Sequence, residues 1–278
     1  MLEVLEYRNH LGEIIFFGKE GIYANENDLR NFAWSYNSKN NRLSSFRRGV
    51  TKKNLDVWIV CTSEEEGIKK RNALFEICEK DVLAEEYGRI FIGGYYMKCY
   101  VIGSKKSEYL IDKKLMKVQL NIVTDTPAWF RESTNVFRRI SNPLSPAAGG
   151  QDLDYLFDYA FDYASDVEFQ TLANGDFTAS DFRMIIYGPC VSPQIYISGH
   201  TYNVATEIGS NEYMLIDSIE KTITLVRTNG KKVNCFNDRN RESYVFEKIP
   251  AGANSVTWEG DFGFDITLLE ERSEPKWT

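Results

Sequence analysis

The chain is 278 residues long, enough for two ordinary domains that each bury a core without disulfide or metal support. With 16 Tyr and 17 Phe against 7 Pro, its composition is that of a strand-rich folded protein and excludes a disordered one. The net charge of −7 is unevenly placed, residues 1–140 holding 23 Lys/Arg and 19 Asp/Glu and residues 141–278 holding 10 and 21; the asymmetry reads either as two surfaces with different neighbours or as a solvated acidic face, and the acidic total argues against sequence-specific nucleic-acid binding.

In chain order, MLEVLEYRNH carries acids where a secretory signal is basic and then apolar. No apolar run approaches the ~20 residues that cross a bilayer, so the chain is expected to stay off membranes and in the cytoplasm where it is made. The short alternating runs LEVLEY, GEIIFF, FAWSYN and LDVWIVCT predict strands. A helix is expected from Ser63: Ser63 and Glu66 form a capping box, three acids fill the first turn, and Ile68, Phe75, Cys78 and Val82 lie on one apolar stripe through residue 82. GRIFIGG, YYMKCYVIG and KLMKVQLNIVTD follow as strands, with Gly93-Gly94 as a hairpin turn and not a phosphate cradle. SNPLSPAAGGQD, at 141–152, breaks every periodicity and reads as a linker whose cleavage should release two folded pieces.

Beyond it, ISGHTYNV turns at Ser198-Gly199 and ITLVRTNGKKVNCF at Asn229-Gly230, the preferred type I′ pair. FRMIIYG, EYMLID, SYVFEKI and FGFDITLLEE complete a series of turn-separated strands, the pattern of an all-β sandwich. The fold class expected is mainly β, a one-helix sheet domain followed by a β-sandwich.

Motifs for chemistry are missing from the sequence; carboxylates are plentiful, but a glycosidase pair depends on a spatial separation that sequence does not show, and abundance alone is no evidence for one. His10 and His200 stand far apart beside turn glycines, and no dinucleotide, Walker, zincin or nucleophile-elbow motif occurs. Neither an enzyme, a metal site nor a cofactor is expected. Cys61, Cys78, Cys99, Cys190 and Cys235 are odd in number with no C-x-x-C pair, which reads as reduced core thiols. The basic runs at Arg47-Arg48, Lys52-Lys53 and Lys69-Lys70-Arg71 read as a charged loop and a solvated helix face.

One motif asks for a partner. DYLFDYAFDYASD, at 154–166, repeats Asp-Tyr every fourth residue. It lacks the alternate oxygen ligands and central glycine of a calcium loop, and as a helix it would stack like charges at i,i+4. An extended strap that buries Tyr155, Phe157, Tyr159, Phe161 and Tyr163 between domains or subunits, while its acids stay wet, meets both objections.

In their order along the chain, RRGVTKKNLDVWIVCT, GGYYMKCYVIGS, NIVTDTPAWF, the Asp-aromatic strap, SDFRMIIYGPCVSPQIYISGHTYNV, EYMLIDSIEKTITL and IPAGANSVTWEGDFGFDITLLEERSEPKW resemble the distal tail proteins of siphophages over nearly the whole length. The resemblance implies a tail-tube-like, ring-forming belt domain at 1–140, a linker and strap at 141–166, and a galectin-like β-sandwich at 167–278. It further implies a homo-hexameric virion hub, assembled in the host cytoplasm, whose partners are the tail tube protein, the tail tip protein and receptor-binding or baseplate proteins. A phage and a defective prophage or tailocin would use the same mechanism. The strap departs from relatives that carry prolines between the Asp-Tyr pairs. The alternative is an adhesin whose sandwich binds cell-wall glycan through Tyr202, Asn203 and Trp258, although a shared fold does not itself imply sugar binding.

Overall fold

The structure, a computed structural model, describes residues 5–107, 114–139 and 170–277; the strap residues Tyr155 to Tyr163 and the 141–152 linker lie outside them. The chain forms two compact units, residues 1–131 with 271–278, and residues 132–270. Chain therefore passes from one unit to the other twice, and its last residues belong with the first unit, where the sequence reading had placed everything beyond 167 in the second domain.

The first unit contains β1 (Leu5–Arg8), β2 (Ile14–Phe17), β3 (Ile22–Asn27), β4 (Ser35–Lys39), β5 (Arg42–Arg47), β6 (Thr51–Val60), α1 (Glu64–Ala84), β7 (Gly88–Ile92), β8 (Tyr95–Ser107), β9 (Leu115–Thr124) and the start of β10 (Trp129–Phe137). Strand β8 serves two sheets. Its first residues, Tyr95 to Cys99, pair with β7 and extend the run β2-β1-β7, while from Tyr100 onward, through an irregularity at Val101/Gly103, it pairs with β9 in the run β3-β6-β9. The result is a split barrel, built on the two-residue periodicity visible in LDVWIV and KVQLNI: Leu55, Val57, Ile59, Val118, Leu120 and Ile122 are all sealed in its core.

The helix begins as the sequence predicts, Ser63 Oγ accepting from the Glu66 amide, but Glu66 returns its carboxylate to the amide and hydroxyl of Thr62 and not to Ser63. Its buried stripe is Gly67, Leu74, Cys78 and Asp81; of the expected Ile68, Phe75, Cys78 and Val82, Cys78 is buried and Phe75 packs against the core in part, while Ile68 is 44% and Val82 39% exposed, the stripe lying one position earlier at 67, 74 and 81. Asp81 sets this rotation. Its carboxylate is fully buried and receives the Tyr7 hydroxyl, the His10 amide at 2.8 Å and His10 Nδ1 at 2.5 Å.

The second unit comprises the end of β10, β11 (Gln170–Asn174), β12 (Asp181–Tyr187), β13 (Cys190–Val191), β14 (Gln194–Ile197), β15 (His200–Asn203), β16 (Glu207–Ile208), β17 (Tyr213–Asp217), β18 (Thr222–Val226), β19 (Lys232–Asn234), β20 (Gly252–Trp258) and most of β21 (Gly263–Arg272). Two antiparallel sheets, β19-β18-β17-β12-β21 and β11-β20-β14-β15, enclose one core that includes Phe182, Met184, Ile195, Phe246 and Phe264. It is a β-sandwich. Ser198 and Gly199 form the turn expected there and both take positive φ, as a type I′ turn requires; at Asn229-Gly230, where the type I′ pair was expected, only the glycine does, because the connection from Val226 to Lys232 is longer than two residues. SYVFEKI is not a strand: Val245 and Phe246 are buried in succession beside a turn closed by the Glu247 amide on Tyr244 O, so the segment plugs the core without alternating.

Candidate functional site

The feature of the first unit that packing does not explain is the β4–β5 hairpin. Every one of its strand residues is exposed. Its tip is preformed, Asn40 and Asn41 both at positive φ in a type I′ arrangement that Asn tolerates. Cross-strand pairs Ser35↔Arg47, Asn37↔Ser44, Ser38↔Leu43 and Lys39↔Arg42 share faces, so Tyr36, Leu43 and Phe46 stand on one side and Lys39, Arg42 and Arg47 on the other. The Tyr36 and Phe46 rings lie 6.5 Å apart and both are more than half exposed. A two-stranded ribbon is at best marginally stable alone in water. An amphipathic one with both faces bare is a surface built for something else to cover.

The ribbon is held firmly at its root. Leu29 is fully buried in the core, and Lys53, 4% exposed on β6, donates its ammonium to the carbonyls of Asp28 and Asn31. Burial pushes that ammonium below the ordinary lysine range, with the nearby Asp28 charge opposing. Asp28 also accepts from the Asn54 amide at 2.6 Å. On one foot, Arg30 donates to Pro275 O at 2.7 Å, lies 3.6 Å from Glu274 and covers the Trp277 ring at 3.9 Å. On the other, Arg48 pairs with Glu271 and lies over Trp34 at 4.7 Å. The C-terminal residues Glu271–Trp277 thus brace both feet. Beside them runs a groove of about 1110 Å³ lined by Phe16, Phe17, Tyr23, Arg30, Phe32 and Trp277.

The sequence held a signal for this surface. Between Asp28 and Asp56 stand seven Lys/Arg and no acid, interleaved with Phe32, Trp34, Tyr36, Leu43 and Phe46. The reading of Arg47-Arg48 and Lys52-Lys53 as a charged loop missed the ribbon that carries the first pair and the buried role of Lys53.

The residues proposed for glycan recognition fall in the second unit, where Ile195 pairs with both Tyr202 and Trp258, so the three share one face of the sheet. That face is the core face. Tyr202 is 2% exposed and donates its hydroxyl to Glu247 O; Trp258 packs on Phe137 and Phe264 and donates Nε1 to Phe262 O. Asn203 turns the other way and spends its amide on Ser192 O and Pro193 O. Neither ring is presented as an open platform.

His10 is committed to Asp81 in the first unit, and His200 Nε2 lies 2.9 Å from Tyr244 O in the second. All five cysteines are free thiols, and burial raises the Cys78 thiol to about 12 and Cys190 to about 11. Among the described residues no group of three His, Cys, Asp or Glu comes together to hold a metal ion, and no helix is long and apolar enough to cross a membrane.

This arrangement of a one-helix barrel and a β-sandwich is a fold shared with phage hub and baseplate proteins of known structure. The chain is similar to the crystal structure of the SPP1 Dit protein, described as a paradigm of the hub adsorption apparatus in phages infecting Gram-positive bacteria, with a TM-score of 0.58 at 9% identity over 98% of this chain and 99% of that one. It is also similar to a chain of the phage P2 baseplate in its activated conformation with Ca, at TM-score 0.61 and 11% identity, and to the corresponding Sr structure at 0.62 and 11%, in each case over 99% of this chain and all of the other. No protein-family model matches the sequence. No curated protein matches it either.

Proposed function

We propose that the chain is a structural virion protein, the distal hub of a siphophage-type tail, acting by assembly and not by catalysis. Six copies close a ring whose first units stack on the tail tube and the tip protein, while the second units face outward and carry receptor-binding or baseplate components. The division expected from the sequence into a belt and an outer sandwich belongs to this proposal, with residues 1–131 and 271–278 as the belt and residues 132–270 as the sandwich, as does the Asp-Tyr strap as the contact that couples them.

The observation that carries the reading is architectural: nearly the entire chain follows the path of hub and baseplate proteins despite about one residue in ten being shared. The bare ribbon supports it, because cyclic closure is the economical way for a protein to cover an exposed edge or arm with its own copies. Electron microscopy of the purified protein, alone and mixed with tail tube and tip proteins, tests it. A six-fold annulus with a central hole is expected; particles that stay monomeric under every condition would refute the reading.

A further inference from the structure

The two strand runs that share β8 end in β2 and β3, and among the described residues neither of these strands has a second strand neighbour. They are joined at the 18–21 turn by the bridge between Lys19 and Ile22. Beyond that turn the barrel is split, and the groove of about 1110 Å³ takes its lining from both sides of the split. Leu5, Phe17 and Ile92 line it from the core, while Tyr23, Phe32 and Trp277 stand 44, 54 and 73% exposed in the same lining. Lys19 lies over the Phe16 ring at 4.1 Å and Arg30 over Trp277; the acid of the lining, Glu274, lies 3.6 Å from Arg30. An aromatic groove bordered by free strand edges suits an extended segment, whose main chain follows an edge while alternate side chains enter the groove.

The chain owns a segment with that alternation. The four-residue repeat of DYLFDYAFDYASD divides evenly by the two-residue period of a strand. Laid out in this way, Tyr155, Phe157, Tyr159, Phe161 and Tyr163 fall on one side, and all four aspartates fall on the other with Leu156, Ala160 and Ala164. Helical spacing would scatter the same five rings over two sides.

We infer that residues 155–163 lie extended in the groove of their own first unit, the five rings turned inward against Phe17, Tyr23, Phe32 and Trp277 and the aspartates turned outward to water. The inference rests on the reading of this motif as the contact that couples belt and sandwich, and specifies where on the belt that contact is made. Rings meet rings without burying a carboxylate, so no aspartate needs a buried partner. The lining holds two cations against one acid, the balance that an acidic segment favours. Covalent tethers run from Arg139 to Asp154 and from Tyr163 to Gln170, up to roughly 50 and 25 Å of chain. They keep the segment at high effective concentration within its own molecule.

The test uses the full-length chain with a photo-cross-linking aromatic side chain in place of Phe157 or, separately, Phe161, mixed with isotope-labelled unmodified chain so that links within one chain are told from links between copies. Links within one chain to peptides inside 16–32 or 271–278 are expected. Tyr23→Asp with Phe32→Asp, at two exposed positions where circular dichroism should not change, is expected to cut their yield by about tenfold or more. Asp158→Asn with Asp162→Asn should keep it within about twofold, since those side chains stay in water. Links that reach the first unit only outside the groove, or that enter the groove of a second copy, would overturn this placement while leaving the coupling reading standing. Links confined to the second unit, or none from either position, would overturn both.

Discussion

Gly88 shows how narrowly single residues are specified. A methyl group added there would collide with the Tyr7 hydroxyl and the Asp81 carboxylate, the two members of the buried node that orients α1. Because both partners are fixed by burial, Gly88→Ala is expected to cost about 1–3 kcal/mol, lowering the first unit's melting temperature by roughly 3–10 °C in calorimetry. Glu66 offers a pH test. The Lys70 ammonium and then the Thr62 hydroxyl and amide hold its carboxyl down from 4.5 to about 2. A carboxylate depressed in the folded state contributes stability that is complete above its unfolded value and lost as pH falls toward its folded one. The advantage of the parent over Glu66→Gln in thermal melts should therefore be constant above pH 5 and shrink between about pH 4.5 and 2; an advantage that does not change across that window would show that the carboxylate's charge is not what matters.

Among the elements, α1 and the ribbon behave oppositely. Leu74 is 1% exposed against the barrel, so Leu74→Ala should destabilise by about 2–5 kcal/mol, whereas Ile68→Ala, at a position the sequence pattern alone would have called core, should stay within about 0.5–1 kcal/mol. Chemical denaturation of the two variants separates them directly. The ribbon is expected to contribute little to folding, since every one of its strand residues is exposed. Replacing 35–47 by a short Gly-Ser turn is expected to leave the melting temperature of the dilute protein within about 2 °C, since loop length affects stability only weakly, while abolishing self-association in ultracentrifugation.

At the level of the whole molecule, the two chain crossings change what cleavage of the 141–152 segment would do. The N-terminal fragment contributes the second half of β10 to the second unit, and the C-terminal fragment contributes Glu271–Trp277 to the first. The fragments exchange elements and should co-elute in native gel filtration after proteolysis, parting only in denaturant. The Arg30 contacts with Glu274, Pro275 and Trp277 belong to this exchange, so Arg30→Ala together with Trp277→Ala should let the tail be trimmed by carboxypeptidase faster than in the parent.

The sequence by itself determined most of the strands, the helix start and the sandwich, because each rests on a local cause: alternation in KVQLNI follows from the pleat, Ser63 satisfies the amide three residues on, and Gly199 takes the positive φ its turn requires without a Cβ to oppose it. It could also have revealed the acid-free span from 29 to 55, since charge needs no structure to be counted. Which face of an element ends inside depends on partners distant in sequence. Register on β14 turned Tyr202 and Trp258 toward the core, Asp81 rotated α1 to reach Tyr7 and His10 across more than seventy residues, and consecutive burial of Val245 and Phe246 made a plug of what alternation alone reads as strand. The candidate site was decided the same way: nothing in SYNSKNNRLSSFR says that both its faces stay bare, because exposure is a property of what does not fold back onto a segment, and only the tertiary structure fixes that.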